Sequence, residues 1–255
     1  MRNLFNIEGK VAVVTGGSRG IGEMIARGYV ENGAKVYVSS RKAEVCDRVA
    51  EELSAYGTCI SLPADLSKMD GIVKLASAIA EREPKLDILV NNAGATWGAP
   101  IDEYPEDGWD KTVDLNTKSI FFLTQKLLPQ LRAAATWEEP SRVINIASVN
   151  GIEPPGLETY AYSTSKAGCI MLTRHLAKRL APEHILVNAI APGPFQSHMM
   201  AATLARAGDA IAKANPRGRI GTPEDIAGVA IFLASRASAY TTGTVVPCDG
   251  GSAEF

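Results

Sequence analysis

Residues 15–22 read TGGSRGIG, between an apolar run, VAVV (11–14), and a stretch with apolar residues at helical spacing, EMIARGYVENG (23–33). A strand that breaks into glycines and then into a helix lets backbone approach a pyrophosphate, and the helix N-terminus favours its charge. Gly16, Gly20 and Gly22 are spaced G-xxx-G-x-G rather than the commoner G-x-G-x-x-G. A ligand-free glycine turn could carry the same letters, but the strand–turn–helix context favours a dinucleotide.

Outward from this loop, six more β-branched runs alternate with helical patterns. They are KVYVSS (35–40), TCISLPA (58–64), LDILVNNAG (86–94), RVINIAS (142–148), ILVNAIAPG (185–193) and TVVPCDGG (244–251). Short runs without polar alternation read as strands buried on both faces. The stretches 43–57, 68–83, about 105–135, 165–181 and 222–236 read as helices. Gly33 and Gly57 follow helix ends, and Thr222-Pro223 opens a helix as N-cap and first-turn proline. The alternation predicts an α/β fold, a doubly wound parallel sheet of seven strands with helices on both faces, in one domain spanning 1–255. Ligands of such sheets bind beyond the carboxyl ends of the strands.

The totals narrow the function. The chain has 255 residues, 46% of them apolar, enough for a full core without disulfides or metals. A net charge of -2 argues against a nucleic-acid partner. Cys46, Cys59, Cys169 and Cys248 are scattered, and His175, His184 and His198 have no partners at metal spacing, so no metal is expected. The N-terminus lacks a signal-peptide core and no run reaches the roughly 18 apolar residues of a membrane span. A soluble, cytoplasmic protein is the expectation.

The next question is which dinucleotide. An acid at the end of the second strand usually holds the ribose 2′-hydroxyl of NAD. Here that strand ends Ser39-Ser40-Arg41, without one. Arg19 and Arg41 could face a 2′-phosphate, which suits a planar guanidinium. NADPH/NADP+ is therefore expected over NADH.

Residues 160–166, YAYSTSK, place phenols and an ammonium close together, Tyr162 four residues and Tyr160 six residues before Lys166. Residues four apart share a helix face, so Tyr162 meets Lys166, whereas Tyr160, six away, does not. A tyrosine titrates near 10 and a neighbouring cation lowers that value, which would make Tyr162 an acid/base. Alone, the pair could be ordinary helix surface. Other residues cluster with it at the sheet edge. Ser148, closing RVINIAS, could donate to a carbonyl oxygen or cap a turn. Asn116, within a helix, could be solvated or hold a relay water. Asn92-Ala93-Gly94 could admit a nucleotide or simply turn.

Together these motifs resemble the short-chain dehydrogenase/reductases of the single-domain branch, over nearly the whole chain. TGGSRGIG is similar to the family's TGxxxGIG, Asn92-Ala93-Gly94 falls in its NNAG, and Tyr162-xxx-Lys166 is similar to its YxxxK. The resemblance implies a Rossmann fold, often a homotetramer or dimer, and a catalytic tetrad of Asn116, Ser148, Tyr162 and Lys166. It implies cofactor contacts from Gly16, Ser18, Arg19, Gly20, Ile21 and Gly22 in the loop and from Ser40 and Arg41. Asp65 and Leu66 would stand on the adenine side. Asn92, Ala93 and Gly94, Pro192 and Gly193 beside the nicotinamide, and Phe195 and Ser197 would complete the site. The activity implied is reversible hydride transfer between NADP(H) and a carbonyl/alcohol pair.

Substrate walls are expected at Thr96, Trp97, Asn150 and Tyr160, and in a lid over 194–215 that includes His198 and Met199. The lid is rich in Ala and Met and suits an apolar substrate, such as a 3-oxoacyl compound or another ketone. A helix packed on its own domain would read the same way. Carrier-dependent reductases of the family tend to offer arginines near the entrance; the comparable stretches here hold Glu138, Glu139 and Glu183. This favours a free ketone or another thioester. The alternatives are a dehydrogenase of a polyol, sugar or steroid-like alcohol, or a non-catalytic NADP sensor. The sensor would have no need for Ser148, Tyr162 and Lys166 together.

Overall fold

The computed structural model describes residues 3–197 and 199–253. Strand β1 (Val11–Thr15) enters α1 (Gly20–Glu31), and β2 (Lys35–Ser39) leads to α2 (Ala43–Leu53). Then come β3 (Cys59–Ser61), α3 (Met69–Ala80), β4 (Ile88–Asn91) and α4 (Glu106–Val113). A π-helical turn (Asp114–Lys118) joins α4 to α5 (Ser119–Ala134). The order continues with β5 (Ser141–Ile146), α6 (Tyr160–Leu180), β6 (Ile185–Pro192), α7 (Ala201–Ala214), α8 (Pro223–Ala234) and β7 (Val245–Cys248).

The seven strands form one sheet in the order β3-β2-β1-β4-β5-β6-β7, every pair parallel. The order reverses between β1 and β4, where an open α/β sheet leaves a crevice at its carboxyl edge. The predicted architecture is the observed one.

Side chains alternate across the strands with period two. Ala12, Val14, Ile88, Val90, Ile144 and Ile146 pack toward α1, α2 and α8. Val11, Val13, Leu89, Val143 and Val187 pack toward α3, α5 and α6. Both faces are covered, which explains why the strands read as unbroken apolar runs. Helices α1 and α8 come so close that a Cβ on Gly28 would stand 2.7 Å from that of Ala227. The opening of α8 is a full capping box: the Asp225 carboxylate accepts the Thr222 N–H at 2.8 Å, with Pro223 in the first turn. Among the described residues no helix is long and apolar enough to cross a membrane, and no cluster of three His, Cys, Asp or Glu side chains could hold a metal.

Candidate active site

The glycine loop meets β4 at the switch point. Gly16 and Gly20 take positive φ, 64° and 56°. A Cβ on Gly22 would collide with the Gly16 carbonyl oxygen and the Asn92 amide, so close packing demands glycine there. The Asn92 side-chain amide donates to the carbonyls of Thr15 (2.9 Å) and Gly16 (3.2 Å). Thr15, which the motif reading passed over, is the joint between the two segments. Its Oγ1 donates to the Val90 carbonyl and accepts the N–H groups of Asn92 (2.9 Å) and Ala93 (3.0 Å).

A dinucleotide phosphate fits this loop. Helix α1 begins after Arg19, whose extended backbone supplies no side-chain cap, so the first N–H groups of the helix are open to an anion. Ser18 is buried in the loop, beside Ile21 at the start of α1. Ser197 lies over the loop, its Cβ 3.1 Å from where a Gly20 Cβ would stand. Arg19 and Arg41 are exposed, without an ion pair among the described residues, beside the half-buried Ser40 at the end of β2. Asp65 is half-buried and its carboxylate accepts the Ser67 N–H and hydroxyl at 3.1 and 2.8 Å; Leu66 is buried beside it.

The tetrad residues converge on the carboxyl edge of β4 and β5. Ser148 follows β5 and accepts the Asn150 N–H at 3.1 Å, so it does cap a turn. That bond uses a lone pair and leaves the hydroxyl hydrogen able to donate, so the cap does not preclude the donor role. Lys166 is 4% exposed; its Nζ donates to the Ile146 carbonyl at 2.6 Å and lies 5.7 Å from the centre of the Tyr162 ring. Asn116 sits in the π turn, fully buried and not solvated. Its amide accepts from the Ala95 N–H at 2.8 Å and donates to the Ala95 carbonyl at 2.9 Å. Gly94 runs between them: a Cβ there would stand 3.2 Å from Asn116 Oδ1 and 3.7 Å from Lys166 Nζ.

Tyr160 is turned elsewhere. It donates to Glu158 at 3.2 Å and meets the Tyr104 ring edge-on at 5.7 Å. Partial desolvation and then the Glu158 carboxylate push its phenol above the ordinary tyrosine value, the opposite of what proton transfer at neutral pH needs.

The expected substrate walls are unevenly placed. The Trp97 ring lies over Gly108 of α4, with Lys111 Nζ 5.0 Å from its centre. Thr96 and Met199 are exposed and Asn150 half-buried. His198 lies outside the described residues. Pro192 closes β6, and the Gly193 N–H donates to the Cys248 carbonyl at 3.1 Å. The Phe195 ring is buried against Gly221, part of the packed body. The glutamates expected near the entrance stand at the opposite, amino edge of the sheet. Glu183, just before β6, pairs with Arg132 (2.6 Å) and Arg179 (2.5 Å). Glu139, just before β5, pairs with Lys10 at 3.0 Å. A six-residue strand spans roughly 20 Å, so these carboxylates do not line the site.

Comparison with known proteins agrees with this geometry. A family model described as Enoyl-(Acyl carrier protein) reductase matches residues 16–253. The chain is 51% identical to the rhamnolipids biosynthesis 3-oxoacyl-[acyl-carrier-protein] reductase of Pseudomonas aeruginosa, over 98% of this chain and 99% of that protein. It is 37% identical to the 2-dehydro-3-deoxy-D-gluconate 5-dehydrogenase of Escherichia coli, over 97% and 96%. The structure of Pseudomonas aeruginosa RhlG in an active-site complex with NADP superposes with a TM-score of 0.95 at 50% identity, covering 99% of both chains. A glycine loop open at the start of α1, a Tyr–Lys turn and matches along almost the full length leave one conclusion: the chain belongs to the short-chain dehydrogenase/reductase family of oxidoreductases.

Proposed function

We propose that this protein is an NADPH-dependent reductase that converts a 3-oxoacyl thioester, or a similar apolar ketone, to the corresponding secondary alcohol. The carrying observation is that Lys166 Nζ is fixed on the Ile146 carbonyl, two residues before Ser148, and lies 5.7 Å from the centre of the Tyr162 ring, at the same carboxyl edge of the sheet as the glycine loop. NADP is the cofactor: Arg19 and Arg41 would hold its 2′-phosphate, and no acid stands at the end of β2 to disfavour it. The 51% identical reductase and the NADP-bound relative support both parts.

When bound, NADPH supplies the hydride that reaches the carbonyl carbon. The chain's residues manage the oxygen. The Ser148 hydroxyl donates to it and holds the carbonyl in place. Tyr162 passes its phenolic proton to that oxygen as charge develops, which balances the transfer. Lys166, tied to β5 through the Ile146 carbonyl, stands beside Tyr162, where an ammonium stabilises the tyrosinate left behind. Asn116 anchors the segment next to Lys166, where a relay water would return the proton.

We also propose a cytoplasmic homotetramer or dimer. Exposed Phe121 on α5 and Met171 on α6, and an edge strand β7 whose four residues are only half-buried, support association.

The test is NADPH consumption, with NADH in parallel, against 3-oxoacyl thioesters on coenzyme A and on a carrier protein, and against sugar-acid ketones. Fast NADPH-dependent turnover of 3-oxoacyl thioesters is expected. Turnover of sugar acids alone would move the assignment to the chemistry named for the gluconate relative.

A further inference from the structure

We propose that Ser165 is a positioning residue that makes Asn116 and the turn carrying Tyr162 and Lys166 a single unit. The inference rests on the reading of Tyr162 as acid/base given above.

Ser165 is 2% exposed and directly precedes Lys166. Its hydroxyl accepts from Asn116 Nδ2 at 2.9 Å and donates to the Tyr162 carbonyl at 2.7 Å. Thr117, the next residue of the π turn, donates its hydroxyl to the Ser165 carbonyl at 3.0 Å. The π turn thus grips Ser165 through both side chain and backbone.

Donor and acceptor identities fix every orientation. The Ala95 N–H can only donate and the Ala95 carbonyl only accept, so the Asn116 amide has one possible orientation. Its remaining N–H points at Ser165 Oγ and occupies a lone pair there. The hydroxyl hydrogen is then directed to the Tyr162 carbonyl. The chain of bonds runs unbroken from the end of β4 through Asn116 and Ser165 to the peptide that carries Tyr162.

Helix propensity gives no reason for a serine here. A serine that bonds back to its own helix mildly weakens that helix, and alanine is the better helix former. A purely structural role therefore predicts that Ser165→Ala shifts only the thermal midpoint, through the Asn116 N–H left unpaired and the change in helix propensity, and leaves kcat intact. The positioning role predicts the reverse in turnover, because one buried amide N–H loses its partner and the catalytic turn loses its tie to Asn116.

The experiment measures kcat, the NADPH dissociation constant and the thermal midpoint of the ligand-free chain for Ser165→Ala, Asn116→Ala and the double variant. Ser165→Ala is expected to lower kcat about tenfold, as misplacement of a catalytic group does, with NADPH affinity unchanged. The double variant is expected to be no slower than Asn116→Ala alone, since residues acting as a unit are not additive. Full kcat in Ser165→Ala, or two losses that multiply, would overturn the proposal. Ser165→Cys, close in size but a weak donor and acceptor, is read the same way should the alanine variant not fold. Tyr162→Phe runs alongside. Surviving turnover there overturns the acid/base reading itself, whereas a dead Tyr162→Phe with a fully active Ser165→Ala removes only the role of Ser165.

Discussion

Helices α6 and α7 both follow strands that end at the carboxyl edge, and they are held in opposite ways. Along α6, Ala161, Ser165, Lys166, Cys169, Ile170, Thr173, Ala177 and Leu180 are buried. Polar ties reinforce that packing: Asn145 of β5 donates to Thr173 at 2.9 Å and accepts from Asn91 of β4 at 2.9 Å. Near the catalytic turn, Ser165 and Lys166 add three more bonds. Helix α7 has no fully buried residue among those described. Thr203, Leu204, Gly208 and Ile211 are among its half-buried residues, and it leaves helical geometry at Ala207 (φ -140°, ψ 17°). Proton transfer needs groups fixed within a fraction of an ångström, while a cover over a substrate must open. We propose that α7 is the substrate cover expected from the sequence; the contrast in burial between α6 and α7 suits that role.

Breaking the rigid side gives the largest effect. Tyr162→Phe should lower turnover by roughly a hundred- to ten-thousandfold while NADPH still binds, as steady-state rates and cofactor titration will show. The sheet behind the turn comes next. Ile190, at 0% exposure in β6, should cost about 2–5 kcal/mol when cut to alanine, read as the urea midpoint. A smaller effect is expected at the cap of α8, where Arg219 and the Thr222 N–H hold the Asp225 carboxyl well below the usual carboxylate range. A depressed folded value means stability that is present above the unfolded value near 4 and lost as pH falls below it. Asp225→Asn should therefore cost about 1 kcal/mol at pH 7, and the gap to the parent should narrow in melts below pH 4. The smallest stability change belongs to α7. Leu204→Ala should move the unfolding free energy by less than about 1 kcal/mol yet raise KM for a long-chain ketone, a split that sharpens the comparison if it is seen and breaks it if stability falls instead.

Much of this was legible in residue order. Apolar runs without polar alternation meant strands covered on both faces, and the TGGSRGIG break placed the phosphate loop at the first of them. The i, i+4 spacing separated Tyr162 from Tyr160; in the fold Lys166 Nζ lies 5.7 Å from the centre of the Tyr162 ring, while the Tyr160 ring meets that of Tyr104. Other features had no local signal. Glu183 and Glu139 looked like entrance residues until the strands placed them at the far edge. Trp97 was expected at a pocket wall, and nothing in its own stretch signalled that its ring packs on Gly108, eleven residues on. Arg142, at the head of the run RVINIAS, is 1% exposed and donates to the Pro140 and Ser235 carbonyls, and burial draws its guanidinium down to about 10. Ser165 stood in plain view beside Lys166, and helix-interior polarity was its only flag.

By itself, then, the order of residues determined the α/β alternation, the dinucleotide loop and the Tyr162–Lys166 pair. Each depends on a period or spacing that a few consecutive residues impose on their own backbone. Tertiary structure alone decided that Asn116, Ser165 and Ala95 form one hydrogen-bonded chain and that the glutamates face away. Those partners lie 21 to 49 residues apart or more, and only the folded sheet brings such distant groups within the roughly 3 Å that a hydrogen bond requires.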